Sequence, residues 1–118
     1  MTNQSKGPLA GIRGLDLTTM ISGPMATMML AEQGADVIKV EAPGTGDLIR
    51  YIGCSAGGIS AIFATLNRGK RSVALDLKSD EGRRDLLRLA ATADVFVQNS
   101  RPGVMDKMGL SEDKIRQV

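Results

Sequence analysis

The apolar and polar positions of this chain fall into short extended runs separated by longer helical ones. "GIRGLDLT" (Gly11 to Thr18) alternates toward an apolar strand. In "SGPMATMMLAEQGA", Pro24 suits the first turn of a helix and Gly34 its C-terminal stop. Met25, Ala26, Met28, Met29, Leu30 and Ala31 make that helix apolar nearly all round, which predicts burial, with the methionines as core packing. "ADVIKVE" (Ala35 to Glu41) reads as a second strand, and "APGTGD" (Ala42 to Asp47) as a loop. Ile49 to Gly58 is Gly/Ser-rich and predicts irregular structure; "ISAIFATLN" (Ile59 to Asn67) predicts a short helix, and "SVALDL" (Ser72 to Leu77) a third strand. Ser79 is a helix cap, followed by Asp80 and Glu81, which complement the positive end of the helix dipole. "DVFVQN" (Asp94 to Asn99) is a fourth strand and "SRPG" a break; "VMDKMG" is a helical turn, and Ser111 caps a last helix. Strands alternating with helices argue for an α/β fold, a parallel sheet with helices on its faces.

Composition narrows the function. A chain of 118 residues is one domain at most, with residues 1–10 as a flexible lead and 11–118 as the folded unit. A net charge of +2 with 3% aromatics gives no basic stripe interleaved with stacking rings, so nucleic acid is not an expected partner. Cys54 stands alone, which excludes a disulfide framework and makes a reducing compartment the default. It sits in a Gly/Ser/Ala-rich stretch with no histidine near it, so it reads as an inert thiol. The chain has no histidine, which removes imidazole acid–base chemistry and His metal sites. No apolar run approaches the ~20 residues of a membrane span, and "MTNQSKGPLA" has no signal core; the reading is cytoplasmic, with no membrane partner.

Ligands of open α/β sheets bind beyond the carboxyl ends of the strands. Lys78, Arg101, and Ser22 with Gly23 at the start of the first helix occupy that edge, and all three segments suit anions. Glu41 ends the second strand where a ribose-binding acid of an NAD site belongs, but the first turn reads "TTMISGP" rather than G-x-G-x-x-G. "GTGD" likewise lacks a P-loop ending. Arg68, Lys70 and Arg71 precede the third strand, and a six-residue strand places them roughly 16–20 Å from Lys78. They read as a solvated or helix-capping loop.

Taken together, "PLAGIRGLDLT", "SGPMATMMLAEQGADVIKVEAPGTGD" and "NRGKRSVALDLKSDEGRRDLLRLAATADVFVQNSRPGVMDKMGL" resemble the N-terminal part of the family III CoA-transferases (CaiB/BaiF type). That family includes formyl-CoA transferase, carnitine CoA-transferase and α-methylacyl-CoA racemase. The resemblance implies a Rossmann-like, mostly parallel sheet with helices on both faces, incomplete relative to the full family domain. It also implies coenzyme A as part of an acyl-CoA substrate, a carboxylate acceptor, no metal, and a homodimer of interlocked chains.

By matching position, the resemblance carries CoA contacts onto Ile21 and Ser22 after the first strand. It carries them also onto Leu75, Asp76, Leu77 and Lys78 in "LDLK", onto Asn99, Ser100 and Arg101 in "QNSRPG", and onto Lys107. Ser100 replaces a frequent phenylalanine, Lys107 keeps the charge of a frequent arginine without its fork, and Ala42 lacks an arginine some members have. The transferases' nucleophilic aspartate and the racemases' His/Asp pair lie later in the family than this chain, so no catalytic residue is assigned; Asp16, Asp47 and Asp76 match neither set. The alternatives are a portion of a racemase-like enzyme, or a truncated non-catalytic module that binds CoA or a partner.

Overall fold

The computed structural model describes residues 6–118. Among them the chain runs through β1 (Arg13–Asp16), α1 (Ser22–Glu32), β2 (Asp36–Glu41) and a 3-10 turn at Leu48–Tyr51. A hairpin of β3 (Ser55–Ala56) and β4 (Ile59–Ser60) leads into α2 (Ala61–Leu66), β5 (Arg71–Ala74) and α3 (Asp80–Ala90). β6 (Val95–Val97), α4 (Val104–Lys107) and α5 (Glu112–Arg116) complete it. β1, β2, β5 and β6 form one parallel sheet in the order β5-β2-β1-β6. The chain adds strands outward from β1 on one side, then crosses to place β6 on the other. That reversal is a topological switch point, and it lies between β1 and β6.

The two faces of the sheet differ. Leu15, Ile38, Val40, Val73 and Phe96 pack with Leu86 of α3, and Met105, Met108, Leu110 and Ile115 extend this apolar core. On the opposite face Asp16 and Lys39 sit side by side in register, and Glu41 follows Lys39 along β2. α1 covers this face through Thr27, whose hydroxyl donates to Asp16 at 2.7 Å, and the segment around Asp47 and Arg50 covers Lys39 and Glu41. Helices therefore flank both faces, as the alternation of elements predicts.

Several local expectations need correction. α1 is not buried all round: Pro24, Thr27 and Met28 are buried, but Met25 and Met29 are 43% and 52% exposed. One face of α1 meets the polar side of the sheet through Thr27, with Met28 also buried, and Met25 and Met29 turn outward. The stretch 49–58 is irregular only in part: 49–51 complete the 3-10 turn and 55–56 form the first strand of the hairpin, with bends and turns between and after them. The helix after it starts at Ala61 because Ser60 caps it, accepting from the Phe63 amide; Ile59 belongs to β4. β5 stops at Ala74, so Leu75, Asp76 and Leu77 lie in the following turn, although the Leu75 amide still bonds the Glu41 carbonyl at 3.0 Å. β6 covers only Val95–Val97 and is likewise shorter than the expected Asp94–Asn99. Residues 1–5 of the lead lie outside the described part; further along, the Leu9 amide donates to the Gln33 carbonyl at 2.9 Å and ties the chain to the end of α1.

Candidate functional site

The carboxyl edge of the sheet holds a cavity of about 240 Å³ between the ends of β1, β2 and β5 and helix α4. Leu17, Val40, Leu75, Leu77, Met105 and Met108 supply apolar walls; Thr18, Thr19, Glu41, Asp47, Asp76, Lys78 and Ser100 supply polar groups. Of the residues singled out in the sequence, Leu75, Asp76, Leu77, Lys78 and Ser100 therefore meet in one place. Ile21, Ser22, Asn99, Arg101 and Lys107 lie outside the cavity lining. The two methionines and the two threonines carried no motif; Met105 and Met108 are three apart on the short helical turn, a spacing that puts both on one face.

The turn from β5 to α3 sets Lys78. Asp76 accepts from the Lys78 amide through its side chain at 3.0 Å, and its carbonyl accepts from the Ser79 hydroxyl at 2.8 Å. Ser79 in turn accepts from the Gly82 amide at 3.0 Å and caps α3. Asp76 is thus committed to shaping the turn, and Lys78 emerges from it exposed to solvent.

The switch point is bridged by Asn99. Its Oδ1 accepts from the Thr19 amide at 3.0 Å, and its Nδ2 donates to the Thr19 carbonyl at 2.9 Å. Asn99 spends both ends of its amide on the β1–α1 loop. Ser100 follows, its amide donating to Gln98 Oε1 at 2.7 Å, and Arg101 is exposed just beyond. Lys107 ends α4, also exposed. Ile21 stands at the N-cap of α1 with no side-chain cap bond, and Ser22 opens the helix. Gly23 brings that helix start against β1's end: a Cβ there would lie 2.4 Å from the Cβ of Thr18.

Beneath the loop lies a buried charge network. Asp16 pairs with Lys70 at 2.8 Å, and Lys39 with Asp47 at 2.9 Å; all four side chains are no more than 2% exposed. Lys70 also donates to the Pro24 carbonyl and to Asn67 Oδ1. Burial pushes the Asp16 carboxyl upward, but hydrogen bonds from Lys70, Thr18 and Thr27 outweigh it and hold the group below the usual range. Burial lowers the Lys70 ammonium, with Asp16 opposing. Lys70 is therefore no solvated loop cation. β5 begins level with the later part of β2, Arg71 facing Ile38, so a lysine just before it reaches Asp16 at the end of β1. Arg68 and Arg71 do stay toward solvent, pairing with Glu32 and Asp36.

Among the described residues no group of three or more His, Cys, Asp or Glu side chains converges as a metal site, and no helix is long and apolar enough to cross a membrane.

Comparison with known proteins gives this edge a context. A probable fatty acyl-CoA transferase of Mycobacterium tuberculosis is 44% identical over 98% of the chain. A formyl-CoA:oxalate CoA-transferase of Rhodopseudomonas palustris is 46% identical over 93%, and a succinyl-CoA:glutarate CoA-transferase of Mus musculus 45% identical over 97%. The chain spans 26–30% of the length of these relatives. A crystal structure of the M. tuberculosis protein superposes with a TM-score of 0.87 over 96% of this chain and 31% of its own. A CaiB/BaiF family protein of Brucella suis does so at 0.87 and 39% identity, over 94% of this chain and 30% of its own. The family model described as CoA-transferase family III matches residues 9–118, and the chain belongs to that family.

Proposed function

We propose that this chain is the coenzyme A-binding portion of an acyl-CoA:carboxylate CoA-transferase, an enzyme that moves CoA from an acyl thioester to a carboxylic acid. The observation that carries this reading is the convergence of Leu75–Lys78 and Ser100 in one cavity at the carboxyl edge of the sheet, beside the switch point. Apolar walls with two pliable thioethers suit a planar heterocycle, and Lys78 at the rim suits a phosphate. Arg101 and the opening of α1 add positive potential next to it.

The carboxylates within the chain support a nucleophile placed elsewhere in the enzyme. Asp16 and Asp47 are locked to buried lysines, and Asp76 is spent on its own turn. Asp16 and Asp47 are therefore not free to attack a thioester, and Asp76 holds one oxygen on the Lys78 amide. The formyl-CoA:oxalate and succinyl-CoA:glutarate relatives, both transferases, favour CoA transfer over racemisation. By the family resemblance the working assembly is a homodimer, and the cytoplasmic reading comes from the sequence.

Isothermal titration calorimetry with coenzyme A tests the reading. The unaltered chain is expected to bind, and Lys78→Ala and Arg101→Ala each to weaken binding about tenfold, the size of one charge-assisted phosphate contact. Unchanged binding in both variants would remove the site assignment.

A further inference from the structure

Thr18, Thr19 and Met20 carry the chain from the end of β1 toward α1, and side chains from three other parts of the protein grip them. Asn99 takes both polar groups of Thr19's backbone. Lys39 donates to the Thr18 carbonyl at 3.0 Å and to Asp47 Oδ2 at 2.9 Å. Asp47 Oδ1 accepts from the Met20 amide at 3.1 Å and from the Ile49 amide at 3.2 Å. The ion pair thus holds the carbonyl on one side of Thr19 and the amide on the other.

Met20 has a φ of 71°, the only non-glycine in the left-handed region among the described residues. That conformation is disfavoured for methionine and persists where surrounding structure imposes it. Its side chain is 36% exposed, so packing alone is not what holds it. The bond from Asp47 is the restraint on Met20's own backbone.

A buried ion pair rarely stabilises more than apolar residues of the same volume would. What it gives here, and a valine or leucine could not, is directional hold on two backbone groups of one loop. We propose that Lys39 and Asp47 are positioning residues: they fix Thr18–Met20 so that Thr18 and Thr19 line the cavity in a set geometry. Lys39 lies outside the cavity lining, and Asp47, which borders the cavity, has both carboxylate oxygens committed to Met20, Ile49 and Lys39. This rests on the coenzyme A reading above and extends it to two residues that carry no motif.

The test is the full chain carrying Lys39→Met and Asp47→Leu together, which removes both charges and leaves neither orphaned. Calorimetry with coenzyme A is expected to show at least tenfold weaker binding. Amide hydrogen exchange is expected to show at least tenfold faster exchange at Met20, with protection kept in β2 and β5. Adding Met20→Gly, which enters the left-handed region freely, is expected to recover at least threefold of the lost affinity. Binding within twofold of the unaltered chain together with a still-protected Met20 amide would overturn the proposal. If the double variant does not fold, Asp47→Asn takes its place. It keeps an acceptor for the Met20 amide, so a protected amide and affinity within threefold are expected despite a lower melting temperature; a tenfold loss with that amide still protected would overturn the proposal. Should the unaltered chain not bind coenzyme A, the ligand reading falls, and protection of Met20 in the variants alone decides whether the pair holds the loop.

Discussion

The amine of Lys70 lies 2.8 Å from the carboxylate of Asp16, a partner 54 positions earlier, and both side chains are closed to solvent. The pair joins the lead-in to β5, the end of β1 and, through Thr27 and the Pro24 carbonyl, the first turns of α1. Lys70→Met leaves Asp16 charged and buried with only hydroxyl and amide donors. Breaking a buried pair from one side costs about 3–5 kcal/mol. Urea unfolding of the variant against the unaltered chain is expected to show a loss of that order. A loss below about 1 kcal/mol would mean that Asp16 is satisfied without the lysine.

Acid stability is expected to depend on Glu41. Burial raises its pKa, but the Arg50 guanidinium, the Asp47 amide and the Ser72 hydroxyl together outweigh burial and bring it from 4.5 down to about 2. A carboxylate whose folded pKa is depressed contributes stability above its unfolded value. That contribution drains away as pH falls from about 4.5 toward 2 and amounts to roughly 3 kcal/mol in full. Asp16 and Asp36 are lowered too, so the measurement is the difference between the chain and Glu41→Gln. Urea midpoints taken from pH 5 to pH 2.5 should fall more steeply with Glu41 than with glutamine. Parallel slopes would contradict the assignment.

The buried network also marks where sequence reading stops. Alternation along β2 says that Lys39 and Glu41 share a face, and the strand–helix order correctly implies parallel pairing with helices on both sides. It does not say how far β5 slides along β2. That register carries Lys70 to Asp16 and turns a basic loop into part of the interior. The Gly-rich hairpin escaped because glycine and serine dilute the period-two pattern of β3 and β4. In the candidate site, Leu77, Lys78 and Ser100 could be assigned to the sheet edge from order alone, whereas Leu75 and Asp76 read as strand and entered only through the family resemblance. Asn99 could be assigned there as well, but its engagement with Thr19 depends on a contact 80 residues apart, which no local pattern encodes.

Ile21, Met25 and Met29 recur at every fourth position of the α1 region and are 48%, 43% and 52% exposed, which makes one apolar stripe on the surface. An uncovered stripe of this kind favours association. Light scattering across a concentration series is expected to show growing mass, and Met25→Lys with Met29→Lys to suppress it. A chain that stays monomeric at high concentration would show that the stripe tolerates water.

Gly82 ties the Leu75–Lys78 turn to α3. It lies in the first turn of that helix, and a Cβ built on it would stand 1.9 Å from the carbonyl oxygen of Asp76 and 2.6 Å from its carbon. Backbone cannot rotate aside as a side chain can. Gly82→Ala must therefore push Leu75–Lys78 away from the helix start, or tilt α3 against the core it forms with Leu86. Ordinarily alanine favours a helix over glycine by about 1 kcal/mol. Here overpacking is expected to reverse the sign, with a net loss of about 1–3 kcal/mol in urea unfolding. Because the same shift moves Lys78, coenzyme A binding by calorimetry is expected to weaken severalfold under conditions where the variant is fully folded. A variant that gains stability, or that loses stability while binding unchanged, would show that the turn does not set the position of Lys78.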